Sequence, residues 1–294
     1  MRRFLLLSVV CLVAGAAGAC HPDQTVTTED IPTAGVRFIN AVPDTAGAYG
    51  LDMRFVDIVE NSAQFRITFR NNPVTGSGIT AGSAVQFKPS RAGSRHFVIF
   101  LDDSLQSVAQ VKLKDTTVTL VAGKNYTAML WGSARAGASP AMKLTFFEET
   151  VPDPGTQVAL RVINATGAAI DVTQFVKGAT MPATPTWSSV SAMSISGYVT
   201  AAPGAIMYNV RAAGSATAMF ADIQALLGAP ASSSAGTSTL DIAPLPGTSV
   251  AGSAVTLVVF PASTVGARTP QSAAFLVPGG SFMWDRRPPN PTGT

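Results

Sequence analysis

The chain has 294 residues, of which 47% are hydrophobic and only 13% charged, with 20 Lys+Arg against 17 Asp+Glu. Setting aside Arg2 and Arg3 of the leader described below leaves 18 basic against 17 acidic residues, a balance of +1 that gives no basis for nucleic-acid binding. The two cysteines, Cys11 and Cys20, both lie at the N-terminus. The rest of the chain therefore has no disulfide, no zinc–cysteine site and no cysteine nucleophile, and must hold together by its core.

Residues 1–19 have the order of a secretory signal peptide. Arg2 and Arg3 form a positive start, residues 4–13 are apolar apart from Ser8, and small residues 14–19 precede Cys20. The apolar part is too short for a transmembrane helix, which needs roughly 20 such residues. The cysteine directly after Ala17-Gly18-Ala19 resembles the lipobox of bacterial lipoproteins, with Ala17 where that family usually has Leu. The resemblance implies cleavage after Ala19 and lipid on Cys20, hence a chain anchored in the cell envelope. His21, where a retaining Asp would stand, points to the outer membrane. Two acyl chains are needed for stable anchoring, since each buried methylene contributes about 0.8 kcal/mol.

Residues 20–34 read as a polar tether with Pro22 and Pro32. A first β-sandwich domain is expected over 35–150. Its strands are predicted at 36–41, 51–59, 64–70, 83–89, 96–101, 107–112, 116–121, 126–131 and 142–147. Residues 148–155, with Glu148, Glu149, Pro152 and Pro154, look like a linker. A second domain is expected over 157–277, and 278–294 reads as a flexible C-terminal tail ending in prolines. Within that tail Phe282 and Trp284 suit docking on a domain or contact with a partner. Residues 216–227 are ambiguous. Met219, Phe220, Ile223, Leu226 and Leu227 have helical spacing, whereas the repeat described next requires a strand.

The two expected domains share three motifs in the same order. Val36-Arg37-Phe38-Ile39-Asn40-Ala41 matches Leu160-Arg161-Val162-Ile163-Asn164-Ala165, with the alternation of a half-buried strand. Gly93 before the apolar run 96–100 matches Gly204 before 207–210. Ala122-Gly123 before Tyr126-Thr127 matches Ala251-Gly252 before Val255-Thr256. Glycine at these turns supplies positive φ without steric cost.

The segment 36–44, which ends in Ala41-Val42-Pro43-Asp44, resembles the opening of DUF4397 domains. Arg91-Ala92-Gly93 and the Ala122–Thr127 stretch resemble that family's later turn and strand. The second half keeps the pattern less well, with Asn164-Ala165 and no following Pro-Asp. The resemblance implies an all-β chain of two tandem immunoglobulin-like antiparallel β-sandwiches, the second divergent, with no activity or catalytic residue to carry over.

The catalytic inventory is thin. His96 is the histidine a Ser-His-Asp triad would need, with Asp102 and Asp103 nearby, but there is no Gly-x-Ser-x-Gly elbow and a plain strand histidine is expected. Asp44, Asp52 and Asp57 have no calcium-loop spacing. Glu148 and Glu149 read as solvated linker charges rather than a glycosidase pair. No metal or cofactor is expected, and the chain is read as a non-enzyme. The leading expectation is a lipid-anchored envelope protein with a binding, adhesion or scaffold role and an envelope-protein or glycan partner. The alternative is capture of a glycan or small ligand for an outer-membrane system, with Tyr49, Trp187 and Tyr198 as stacking rings.

Overall fold

A computed structural model describes residues 31–44, 51–57, 87–101, 104–234, 240–264 and 276–290. Cys20, Tyr49, Asp102, Asp103 and the strand expected at 64–70 lie outside the described residues. Strand-forming, β-branched and aromatic runs separated by glycine turns produce an almost wholly β molecule, as expected.

The first half contains β1 (Thr33–Asn40), β2 (Leu51–Phe55), β3 (Lys88–Arg91), β4 (Gly93–Leu101), β5 (Lys112–Leu120), β6 (Asn125–Trp131) and β7 (Lys143–Glu148). One sheet has the order β3-β1-β6-β7 and the other β2-β4-β5. Their inner faces enclose a core of Val36, Phe38, Leu51, Met53, Phe97, Ile99, Ala128 and Leu130. β1 begins at Thr33, inside the stretch expected as tether. The strand expected at 107–112 is instead a one-turn helix, α1 (Gln106–Ala109), followed by a single long β5. The chain must reverse between antiparallel β4 and β5, and the bonds from the Val108 and Ala109 N–H groups to the Leu105 carbonyl make that reversal.

The second half repeats this plan. Its main strands are β8 (Val158–Asn164), β9 (Ile170–Val176), β12 (Val199–Ala201), β13 (Ile206–Ala212), β14 (Ala218–Gln224), β17 (Ala254–Phe260) and β18 (Gly279–Arg286). β18 and β12 flank β17 and β8 as β7 and β3 flank β6 and β1, while β9-β13-β14 repeats β2-β4-β5. The additions are β10 (Trp187–Val190) beside β9, β11 (Ser194–Ile195) beside β8, and a hairpin of β15 (Ser232–Ser234) and β16 (Leu240–Ile242). Most pairings are antiparallel. The exceptions are β1 with β6 and β8 with β17, one parallel pair in each half.

One ambiguity is resolved and two further expectations change. Of the alternatives left open for 216–227, residues 218–224 form the strand. Gly279–Arg286, expected in a flexible tail, is β18, paired along its length with β17. Gly123 and Gly252 do turn with φ of +75° and +83°, but Gly204 is not in the left-handed region.

The largest correction concerns β1 and β8, which are not half-buried. Val36 and Phe38 face the first core, whereas Ile39 and Ala41 lie on the opposite face with Met129 and Trp131. That face packs on Ile163, Ala165, Val258, Phe260 and Met283 of the second half. Both central strands are thus covered on both sides, and Thr33–Thr294 forms one compact unit.

Candidate functional site

The doubly covered strands carry their two arginines into the junction between the halves. Arg37 is 0% and Arg161 5% exposed. The arginine Nε atoms donate to the hydroxyls of Thr127 and Thr256 respectively, each at 2.8 Å, because these threonines lie directly opposite in the parallel ladders. Each guanidinium also stands over an aromatic ring, Arg37 4.4 Å from the Phe87 centroid and Arg161 4.7 Å from Tyr198. Phe87 and Tyr198 both immediately precede the short strand paired to β1 or β8.

Two carboxylates complete the cluster, and each serves both halves. Glu149, one residue beyond β7, takes Arg37 at 2.9 Å and Arg161 at 2.8 Å. Asp285, near the end of β18, takes Arg37 at 2.6 Å and Arg161 at 3.3 Å. Their remaining lone pairs accept from the hydroxyls of Thr127, for Glu149, and of Thr256 and Tyr198, for Asp285. The acid side chains are 1% and 0% exposed. Arg, Thr, acid and ring from one half thus meet Arg, Thr, acid and ring from the other in a pseudo-two-fold arrangement.

The electrostatics follow from burial and compensation. Burial alone pushes the Asp285 carboxyl up, but the Arg37 and Arg161 charges, with hydrogen bonds from Thr256 and Arg37, hold it below the usual carboxylate range. Burial works against the charge of Arg161, and Asp285 and Glu149 more than offset it, raising the guanidinium. Burial and the adjacent Asp285 charge push the Tyr198 phenol up, so it stays a donor.

Two candidates drawn from the sequence therefore have their rings engaged by the chain itself. Tyr198 belongs to this cluster. Trp187, 7% exposed, stacks on Tyr208 at 6.2 Å and donates to the Gly197 carbonyl. Glu149, expected to solvate a linker, is a buried counter-ion, whereas Glu148 does sit at the surface, paired with Lys124 at 2.9 Å. His96 pairs with Asp115 at 2.6 Å on the exposed face of β4 and β5, beside Lys112. The three aspartates are not brought together. Asp44 accepts from the Ala134 and Arg135 N–H groups, Asp52 pairs with Arg54, and Asp57 pairs with Arg95 at 3.0 Å. Among the described residues no group of three His, Cys, Asp or Glu side chains is placed to hold a metal.

An accessible feature lies elsewhere. Between β5 and β7, the edge strands of the two sheets of the first half, is an open cleft of about 550 Å³. Val118, Met142, Leu144 and Phe146 give it an apolar lining, Lys114 and Lys143 add two cations, and Asp115 adds one carboxylate. Nothing in the sequence reading pointed to it, because it arises from edges that are distant in the chain.

The fold and the junction define a class: an all-β double sandwich whose halves are joined by a shared buried ion cluster. Residues 34–174 match the family described as "Domain of unknown function (DUF4397)". That match runs from β1 past the junction into β9. It includes Arg37, Thr127, Glu149 and Arg161 but not Thr256 or Asp285. No curated protein matches the chain.

Proposed function

We propose that this is a bacterial cell-envelope lipoprotein, cut after Ala19 and held at the outer membrane by lipid on Cys20. In this reading it has a non-enzymatic binding, adhesion or scaffold role, and its second half is a divergent second copy of the family domain. The observation that carries the non-enzymatic reading is the use made of Glu149 and Asp285. These converging carboxylates are sealed from solvent and saturated by two arginines, two threonines and a tyrosine, so neither is free to act as acid, base or nucleophile. The repeated strand order and the repeated Arg-Thr-acid-ring set support the second copy. Anchoring rests on the leader and Cys20. Among the described residues no helix is long and apolar enough to cross a membrane.

The test is metabolic labelling with a palmitate analogue, followed by fractionation and protease shaving of intact cells. The protein takes up label and sediments with membranes, and Cys20→Ser abolishes both. An unlabelled wild-type protein in the soluble fraction contradicts the reading. Digestion by shaving directs the search for partners to surface glycans, matrix and other cells, and survival directs it to periplasmic complexes. Glycan capture is the weaker reading, since Trp187 and Tyr198 are both engaged inside the molecule.

A further inference from the structure

The repeat supplies a control for the cleft between β5 and β7. Register places Thr116 and Lys114 of β5 opposite Phe97 and Ile99, where the second half has Ile223 and Phe220 of β14 opposite Tyr208 and Val210. On the other sheet Leu144 of β7 pairs with Leu130 where Gly280 of β18 pairs with Val259. In the second half the two edges close on each other. A Cβ placed on Gly280 would lie 2.9 Å from Ile223 Cδ1 and 3.2 Å from Phe220 Cε2, so those side chains already fill the space. In the first half the large apolar pair is replaced by a threonine and a lysine, and the space is open.

That substitution also sets the charge. Lys114 lies on the same side of β5 as Thr116 and Val118, toward the cleft. Neither Lys114 nor Lys143 has an ion-pair or hydrogen-bond partner among the described residues. Asp115, the acid beside them, is already paired with Lys112 at 2.8 Å and His96 at 2.6 Å. The cleft is therefore apolar within and cationic in its unspent charge. Among the described residues both flanking strands pair on one side only, β5 with β4 and β7 with β6, so each presents a main-chain edge. Lysines on an edge strand repel a second copy of that edge, but they attract a strand that carries carboxylates.

We propose that this cleft binds an extended segment of a partner protein that carries apolar and acidic side chains together on one face, added as a strand to the edge that β5 presents among the described residues. Every second side chain of an added strand points to one face. The cleft-facing set then places its apolar side chains above Leu144 and Phe146, where Phe220 and Ile223 stand in the second half, and its carboxylate beside Lys114 and Lys143. Main-chain bonds supply affinity, and the pockets and charges supply selectivity. This deepens the binding role proposed above. It is tested on purified protein without reference to anchoring, so its failure leaves the lipoprotein reading standing and the converse also holds.

The experiment titrates the purified full chain with a fluorescent synthetic peptide of the length of β5 that alternates Thr with a cleft-facing set of Val, Phe and Glu, followed by amide hydrogen exchange of the complex. The expected result is saturable binding that weakens with salt. It falls at least about tenfold in Lys114→Glu/Lys143→Glu, and the same double variant binds the Lys-for-Glu peptide. Recovery with the reversed peptide also shows that the variant is folded. Amides of β5 gain protection in the complex. The proposal is overturned if the wild-type chain does not bind, if charge reversal has no effect, if protection appears away from β5 and β7, or if sodium laurate binds the cleft and the peptide does not.

Discussion

Arg37 and Arg161 show how far single residues can be read. Their equivalence was legible from two matching hexapeptides, but their surroundings were not. Alternation of apolar and polar residues normally marks one solvated face, and here that face packs against the second half of the chain. The acids escaped notice because Glu149 looks like linker and Asp285 like tail, at different distances from their threonines. Removing one member of such a cluster leaves a buried charge uncompensated, which costs about 3–5 kcal/mol. Arg37→Met and Arg161→Met are each expected to lose that much in urea denaturation. Replacing Arg37, Arg161, Glu149 and Asp285 together by apolar residues of similar size is expected to lose far less, because no unpaired charge remains. The pH dependence follows from Asp285. Its folded carboxyl titrates below the unfolded value of about 3.9, so its contribution is fully present above that pH and disappears as pH falls through the lower folded value. Thermal melts should show a stability loss confined to acid pH, and Asp285→Asn should be less stable at neutral pH with a shallower acid decline.

β14 shows why some elements could not be assigned from pattern. Phe220 and Ile223 are three residues apart, as on a helix face, yet they occupy the same face of a strand. A register shift lets Tyr208 and Val210, two apart on β13, oppose Ile223 and Phe220, three apart on β14, with Asp222 at φ +56°. A bulge of this kind imitates helical spacing locally, and only the repeat favoured a strand. The glycine turns were clearer, since Gly123 and Gly252 stand at equivalent places with left-handed φ. Gly280 had no sequence signal at all, and its small size matters only because β14 leans on β18. Gly280→Ala forces a methyl against Ile223, Leu257 and Phe220 and is expected to cost about 1–3 kcal/mol by overpacking. Chemical denaturation would read this directly. Alanine at Leu144 of the first half creates no such clash.

At the scale of the whole molecule, the all-β class and most strands of the first half were legible, and the organisation around the junction was not. Two domains on a linker were expected. Instead Ile39, Met129 and Trp131 of one half and Ile163, Val258 and Met283 of the other form a shared apolar layer beside the ion cluster. Nothing local in the sequence marks such a layer, since each apolar residue in it fits equally well in its own sandwich. The C-terminal strand was hidden for a related reason. β18 carries two glycines and charged residues at its end, and it gains its place from β17 rather than from its own pattern.

Scanning calorimetry of the purified protein tests this account most directly. If the shared layer and the cluster join the halves, the wild-type chain unfolds in one transition whose calorimetric and van't Hoff enthalpies agree, and Arg37→Met/Asp285→Asn separates it into two. Two independent transitions in the wild-type chain, unchanged in that variant, would contradict it.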